Sequence, residues 1–576
     1  MSTSKSAVFS PLQPAFSGFE PAICDPKLSL MSSVSNKEWW RSAVIYQIYP
    51  RSFADGNGDG MGDLRGVEAN LDSLKELGVD AVWFSPFMTS PQKDAGYDVS
   101  NYKDIDPLFG TLQDFDAVLA KAHSLGIRVI VDLVPNHCSE EHPLFQAAVA
   151  AGKGSKEREL FHFRDGQGDN GELPPNNWQS VFGGPTWTQV ADGQWYLHIF
   201  DSSQPDWNWE NPAVKEFFDG VFRFWLDRGV DGFRVDVAHA LIKEPGLPDV
   251  EEASSSMTGS DEVPAEEKPH PHWGQDGVHE IIRGWRKIID EYDGRAMAAE
   301  AWILPLSKMA KWVRPDEYHQ AFNFAYLEGK WNATALHKVV DESLYEFGKV
   351  GAPSTWVLSN HDVIRHSTRL SYDQVPKQGD GIGPTYPQPD EALGLRRGRA
   401  ASAFMLGLPG SSYIYQGEEL GLPEHTTLAP EFRQDPTFFR TKGERVGRDG
   451  CRVPIPWDAE APAFGFNDTG KAWLPQPANF RSYARNQQRG VAGSTLELYK
   501  RLLAVRKELD LGNGSLKWHE DLCDEDTLAY ENNGVLVVAN FNGTVSLPAG
   551  ELLVTTQHDL TIEGVIEADQ VAWIKL

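Results

Sequence analysis

The 576-residue sequence predicts an α/β fold, namely a (β/α)8 TIM barrel with a small domain inserted after strand 3 and a C-terminal antiparallel β domain. Three observations lead to this prediction. Amphipathic helices repeatedly end at a glycine and are followed by a short apolar strand, which is typical of βα units on a parallel sheet. Eight such strands are recognisable, the number that closes a barrel. Several strands end in a single acidic residue, at the end where barrels of this kind carry their chemistry.

The repeating units begin at residue 42 and follow one another along the chain. The first strand is predicted in SAVIYQIYPRSF, and the next two helices end at Gly78 and Gly126. Each glycine precedes an apolar strand, VDAVWFSP in the first case and IRVIVDLVPNH in the second. A third helix ends at Gly229 before VDGFRVDV. The remaining four strands are predicted at 295–302, 320–327, 355–361 and 411–416.

The spacing of these units predicts where the domains begin and end. Residues 138–211 have no helical periodicity and are rich in Gly, Pro, Trp and Asn, and the stretch is too long for a simple loop. After residue 490 a helix leads into short alternating strands, whereas the first residues are rich in Ser and Pro. We therefore predict an N-terminal tail at 1–36, a barrel at 37–137 and 212–489, an inserted domain at 138–211 and a C-terminal β domain at 490–576.

Composition narrows the classes of function. The net charge of −29 disfavours binding to nucleic acid or to anionic membranes. The longest apolar runs have the length of strands, and the N-terminus lacks a signal-like apolar core, so a cytoplasmic protein is predicted. The four cysteines (Cys24, Cys138, Cys451 and Cys523) form no CxxC pattern, and we predict that they are isolated thiols. The predicted partner is a small molecule, and both a monomer and a homodimer fit the sequence.

Three acidic residues that follow apolar strands are the candidate catalytic groups. Asp236, Glu300 and Asp362 would face one cleft at the carboxyl ends of the strands, and converging carboxylates are what glycoside hydrolysis needs. Arg234 lies two residues before Asp236 on the same strand face, so its guanidinium would favour the ionised form of a nucleophile. Glu300 would have to be protonated as an acid, and an apolar neighbour such as Trp302 would help by desolvation.

Eight motifs, in order, resemble those of the α-amylase family of retaining glycoside hydrolases (glycoside hydrolase family 13). They are IYQIYPRSFADGNGDGMGDLRG, GYDVSNY, DLVPNH, GFRVDV, AEAW, SNHD, YIYQGEELG and GRDGCRVPIPW. The first and the last look most like the α-glucosidase and oligo-1,6-glucosidase branch. The resemblance implies that Asp236 forms a β-glucosyl ester, that Glu300 acts as acid and then as base, and that Asp362 stabilises the distorted sugar.

The same resemblance implies a set of substrate-binding residues. Asp98 would bind the non-reducing glucose beside Tyr97, with His137 and His361 on its hydroxyl groups. Arg365 matches an arginine of the exo-acting glucosidases. Phe182, in NNWQSVFGG, is either a wall of the sugar pocket or plain core of the inserted domain.

The predicted activity is that of an exo-acting retaining α-glucosidase on maltose and short α-1,4-glucosides. Val237 directly follows the predicted nucleophile. In the glucosidase branch, a valine at this position accompanies a preference for α-1,4 linkages. Two alternatives stay open: transfer of the glucosyl group to another acceptor, or isomerisation of sucrose or maltose on the same site. Non-catalytic transporter partners of this fold carry a membrane helix and lack catalytic carboxylates, which disfavours that third class here.

A loop after the first strand has the spacing of an EF-hand without its last ligand. Position 12 is Gly66 in place of glutamate, and the loop follows a strand, so it is no EF-hand. The related glucosidases carry Ca²⁺ at this place, which implies a structural Ca²⁺, with Mg²⁺ as the alternative. The predicted ligands, at positions 1, 3, 5, 7 and 9, are Asp55, Asn57, Asp59, the carbonyl of Met61, and Asp63.

Overall fold

The computed structural model describes residues 36–250, 270–375, 377, 379–557 and 564–576. The predicted N-terminal tail lies outside these residues except for its last position. Most of the acidic stretch that follows the fourth strand, residues 251–269, also lies outside them. Everything below concerns the described part of the chain.

Eight parallel strands form one continuous sheet. The strands are β1 Val44–Ile48, β2 Ala81–Phe84, β3 Arg128–Leu133, β4 Gly232–Val235, β5 Ala296–Ala299, β6 Gln320–Ala321, β7 Thr355–Val357 and β8 Ser411–Tyr415. In the order β6-β5-β4-β3-β2-β1-β8-β7 each strand is hydrogen-bonded to its neighbours, and a further parallel bridge between Phe322 and Thr355 joins the two outer strands. The sheet is therefore a closed barrel, and the predicted fold class is confirmed.

Two of the predicted strands are shorter than expected because helical turns replace their ends. The first strand stops before a short helix, Pro50–Phe53, because proline at the first helical position has the required φ and lacks only an N–H that would be unpaired there. The sixth stops before the helix Phe324–Leu327, whose N-terminus is capped by the Asn323 side chain. An apolar run alone cannot separate these short helices from strands.

At least one helix follows each barrel strand, and eight of them complete the βα units. The helices are α1 Leu64–Leu77, α2 Leu112–Ser124, α3 Pro212–Arg228, α4 Val278–Ile289, α5 Leu306–Met309, α6 Ala333–Gly348, α7 Glu391–Gly407 and α8 Thr495–Glu508. Gly78 and Gly229 end α1 and α3 in the left-handed conformation that only glycine adopts without strain, with φ of 100° and 108°. Apolar stripes of these helices pack on the barrel; in α1 the stripe includes Val67, Leu71 and Leu74, all buried.

Antiparallel sheets also form outside the barrel, the smallest of which pairs Met88–Thr89 with Asn101–Ile105 after β2. Between β3 and α3 lie the helix Pro143–Ala151 and three short strands, Phe163–Asp165, Trp187–Gln189 and Gln194–Leu197. After α8 comes a five-stranded sheet that packs on α7, where the Tyr530 hydroxyl donates to the carbonyl of Phe404 at 2.7 Å. Its strands are Lys517–Trp518, Thr527–Asn532, Val535–Asn540, Glu551–Thr555 and Gln570–Lys575. The residue at which each domain begins stays a prediction.

The described helices contain no segment with the length and the apolar character that a membrane span requires.

Candidate active site

A pocket opens at the carboxyl-terminal ends of the barrel strands, between the barrel and the region after β3. Six of the predicted site residues line it: Tyr97, His137, Phe182, Asp236, Glu300 and Asp362. Arg234 and His361 lie directly beneath these residues and touch them. The pocket is also lined by residues that the sequence did not single out, among them Asp94, Phe200 and Arg448.

The register of β4 and β5 brings the predicted nucleophile and the predicted acid together. Arg234 pairs with Ala298 and Val235 with Ala299, so the next residues along the two strands are Asp236 and Glu300. The Arg234 guanidinium lies between them, 2.6 Å from Asp236 Oδ1 and 2.9 Å from Glu300 Oε2. It also contacts Asp132 of β3 at 3.0 Å. Parallel neighbours in a barrel thus place two carboxyl groups on one cation.

One guanidinium, that of Arg234, faces all three of these carboxyl groups. Burial raises the pKa of the Asp236 carboxyl well above its usual value, although Arg234 opposes the shift. Burial likewise raises the pKa of Asp132 to about 7. Retaining chemistry needs Asp236 ionised and Glu300 protonated. The short contact of Arg234 with Asp236 favours that distribution of charge.

Asp362 is held in its ionised form. Its Oδ1 accepts from Arg448 at 2.9 Å and from Arg452 at 2.8 Å, and its Oδ2 lies 3.0 Å from His361 Nε2. Burial works against the charge, but the imidazole and the two guanidinium groups hold the pKa of Asp362 below its usual range. A fixed negative charge in the pocket suits the stabilisation of a positively charged sugar.

The two pocket histidines are neutral. Burial lowers the pKa of His137 to about 4 and the pKa of His361 well below its usual value. The Gln47 amide lies 2.7 Å from His361 Nδ1, which assigns the remaining N–H to Nε2, where the Tyr97 hydroxyl lies at 2.6 Å and Asp362 Oδ2 at 3.0 Å. Tyr97 stacks on the His361 ring with an interplanar angle of 3°. Neutral imidazoles and a phenol are suited to hydrogen bonds with sugar hydroxyl groups.

Two predicted substrate residues do not reach the pocket. Asp98 is fully buried and accepts hydrogen bonds from the Ser90 hydroxyl and from the backbone N–H groups of Lys93 and Asp94. It therefore stabilises the loop, and the carboxylate of that loop which lines the pocket is Asp94. Arg365 donates to backbone carbonyls behind the pocket, those of Gln416 and Cys451, both at 2.9 Å. These two hydrogen bonds join the loops behind the pocket.

Arg448 is the main functional residue that sequence reasoning did not single out. Its guanidinium pairs with Asp94 and Asp362, both at 2.9 Å, and with Asp435 at 2.6 Å. It also lies over the Phe182 ring at 5.1 Å, which places Phe182 in the wall of the pocket. Arg448 belongs to the GRDGCRVPIPW motif, and this motif was the sequence signal that could have identified it. It follows no predicted strand end, so the barrel pattern did not point to it.

The loop with EF-hand spacing has donors that suit a hard cation. Asp55 and Asp63 are both buried, and the charge of Asp55 helps to raise the pKa of Asp63, after burial as the main cause. No ion pair with a lysine or arginine of the described chain offsets either carboxylate. Across the described residues, however, no three His, Cys, Asp or Glu side chains converge on one point. A cation would therefore also need the Asn57 amide and the Met61 carbonyl.

Comparison with known proteins agrees with this geometry. The family model described as "Alpha amylase, catalytic domain" matches residues 47–513. A probable α-glucosidase of Rhizobium meliloti is 38% identical over 82% of this chain and 83% of its own length. The oligo-1,6-glucosidase of Parageobacillus thermoglucosidasius is 33% identical over 93% of this chain and 97% of its own. A solved structure titled as the α-glucosyl transfer enzyme XgtA is 34% identical, with a TM-score of 0.79, and covers 93% of this chain and 99% of its own.

A barrel with a nucleophile and an acid on neighbouring strand ends is the arrangement of retaining glycoside hydrolases. Within that class, the chain belongs to the α-amylase family.

Proposed function

We propose that this protein is a retaining, exo-acting α-glucosidase that releases α-glucose from the non-reducing end of maltose and short α-1,4-glucosides. The observation that carries the proposal is the pair Asp236 and Glu300, bridged by Arg234 and facing Asp362 in one pocket. Relatives named α-glucosidase and oligo-1,6-glucosidase support the hydrolytic reaction.

The reaction would proceed in two displacements. In the first, an Asp236 oxygen bonds to the anomeric carbon while the glycosidic bond breaks, and the proton of Glu300 moves to the leaving oxygen. In the second, Glu300 removes a proton from water, whose oxygen displaces Asp236 from the same carbon. Two inversions leave the product in the α configuration. The charge of Asp362 supports the oxocarbenium-like transition state in both steps.

Exo action is supported by the ion pairs around Arg448. This residue connects Asp94 on the loop after β2 with Asp362 after β7 and Asp435 after β8. The three loops are thus joined across one side of the pocket. A longer glucan could not continue past such a wall, so only a terminal glucose would fit.

The α-1,4 preference rests on Val237, and glucosyl transfer is the second candidate. Val237 lines the pocket beside the nucleophile. Structural relatives include XgtA, whose title names glucosyl transfer, and a trehalulose synthase, MutB, at 28% identity. The aromatic side chains of Phe182, Phe200 and Trp302 line the pocket. If they keep water from the glucosyl ester of Asp236, they favour transfer of the glucosyl group to another acceptor.

Glucose release from maltose, isomaltose, sucrose and trehalose tests the proposal. We expect maltose to be the best substrate and fresh product to be α-glucose. Asp236→Asn should lower kcat by at least about 10³-fold because the nucleophile is lost, whereas Asp104→Asn, at an exposed position, should not. Accumulation of new disaccharides in place of glucose would support transfer. Inertness of all four sugars would overturn both functions.

We also propose a structural Ca²⁺ in the loop from Asp55 to Asp63. The support is the set of hard oxygen donors and the two buried carboxylates without an arginine or lysine partner in the described chain. The ion would stabilise the junction of β1 and α1, remote from the reacting groups. The cytoplasmic location and the monomeric or dimeric state stay predictions from the sequence.

A further inference from the structure

The indole of Trp302 contacts the acid of the proposed reaction. Trp302 follows β5 two residues after Glu300, and its Nε1–H donates to Glu300 Oε1 at 3.2 Å. The indole lies flat on the Phe324 ring, with centroids 3.8 Å apart and an interplanar angle of 11°. Both Trp302 and Glu300 line the pocket. Sequence analysis predicted only that Trp302 would desolvate Glu300, and the contact is instead a directed hydrogen bond.

The other oxygen of Glu300 has its hydrogen-bonding capacity filled. Glu300 Oε2 accepts from Arg234 at 2.9 Å and from the backbone N–H of Val237 at 3.0 Å. Val237 adopts a left-handed conformation, with φ of 43° and ψ of 41°, which is strained for a β-branched residue. A carboxyl oxygen with two donors has no lone pair left for a proton, so the acidic proton of Glu300 belongs on Oε1.

We infer that Trp302 is a positioning residue that sets the direction of proton transfer by Glu300. Its N–H occupies one of the two lone-pair sites of Oε1, which leaves the other for the transferable proton. Phe324 holds the indole plane, and thereby the direction of this N–H. When the proton has moved to the leaving oxygen, the same N–H stabilises the carboxylate that will next take a proton from water. The inference rests on the proposed α-glucosidase function.

The variant Trp302→Phe separates this role from packing because it keeps an aromatic ring against Phe324 and removes only the N–H. We propose to measure kcat/KM on maltose, phenyl α-glucoside and 2,4-dinitrophenyl α-glucoside. Proton donation matters most for a basic leaving group and hardly at all for dinitrophenolate. We therefore expect a loss of about 10-fold or more on the first two substrates, and a change of less than about twofold on the third.

The matched control is Trp331→Phe. Trp331 is also half-buried and its Nε1–H also donates to a carboxylate, Asp569 at 2.8 Å, but it lies outside the pocket. The Trp331→Phe variant should leave kcat/KM on all three substrates unchanged. A second variant, Phe324→Leu, keeps the N–H of Trp302 and loosens its plane, so we expect the same substrate dependence with a smaller loss.

The possible outcomes differ clearly. An equal loss on all three substrates in Trp302→Phe would assign Trp302 to packing and overturn the inference, and so would no loss on any. Wild-type protein that cleaves none of the three α-glucosides would overturn the proposed function and the inference with it.

Discussion

At the scale of single residues, one arginine holds several loops of the pocket together. Arg448 pairs with three carboxylates from separate loops, of which Asp94 is 354 residues away in sequence, Asp362 is 86 away and Asp435 is 13 away. Planar guanidinium groups can serve several carboxylates at once, whereas an ammonium group is a point charge. The position should therefore require arginine and not merely a positive charge.

Replacement of Arg448 by lysine tests this requirement. Lysine keeps the charge but cannot reach Asp94, Asp362 and Asp435 together, so we expect kcat/KM for maltose to fall by about 10- to 100-fold. The control is Arg223→Lys, because Arg223 pairs with Glu291 on the surface through two hydrogen bonds. An Arg448→Lys enzyme with unchanged kcat/KM would show that the charge alone suffices.

At the scale of elements, the position of the catalytic carboxylates depends on close contact between β4 and β5. A Cβ built on Gly232 of β4 would lie 2.4 Å from the carbonyl oxygen of Ala296, which is closer than real contacts allow. Glycine is therefore required where these two strands approach. Any separation of the strands would change the placement of Asp236 relative to Glu300.

Gly232→Ala should accordingly lower both stability and activity. We expect a loss of about 2 kcal/mol in the free energy of unfolding, the typical cost of overpacking, together with a lower kcat. Gly348→Ala is the matched control, since a Cβ there meets nothing within 4 Å and Gly348 ends the helix α6. Denaturant unfolding and maltose hydrolysis measure the two effects. Equal stability and equal activity of the two variants would contradict the close approach of β4 and β5 at Gly232.

The loop between β1 and α1 gives a second prediction at this scale. If it binds Ca²⁺, the ion should stabilise the folded protein by about 2.7 kcal/mol at a free concentration of 100 Kd. We expect the unfolding temperature to rise on addition of Ca²⁺ and to fall with a chelator, and we expect Asp55→Asn to abolish both changes. Asp169→Asn, at an exposed position outside this loop, should retain them. A wild-type unfolding temperature that does not respond to Ca²⁺ would exclude the site.

At the scale of the whole molecule, buried histidines determine how stability depends on pH. Burial lowers the pKa of seven of them to about 3 or 4, namely His137, His142, His198, His239, His270, His366 and His425. In the unfolded chain they titrate near 6.5. Between these values the unfolded state binds more protons, so stability is lost as the pH falls from about 6.5 towards 4.

At least four buried acids act in the opposite direction, namely Asp94, Asp132, Glu418 and Glu424. Burial raises the pKa of Glu418 to about 8 and that of Glu424 to about 7, so these groups favour the folded state less as the pH rises from about 4.5 to 8. We therefore expect the unfolding temperature to be highest between about pH 6 and 7. His142→Asn should reduce the acid dependence and keep the helix cap that His142 provides. A flat profile between pH 4.5 and 6.5 would contradict the role of the histidines.

The sequence by itself determined the barrel and predicted the three carboxylates that meet in one pocket. Both depend on local patterns, since apolar periodicity and glycine stops define the βα units, and residues at strand ends must share one face. Only the tertiary structure decided which groups complete the pocket. Arg448 meets Asp94 across 354 residues, and no local pattern records such a contact. The same limit explains Asp98 and Arg365, because sequence locates a side chain along the chain, and only packing decides whether it reaches a ligand or a backbone carbonyl.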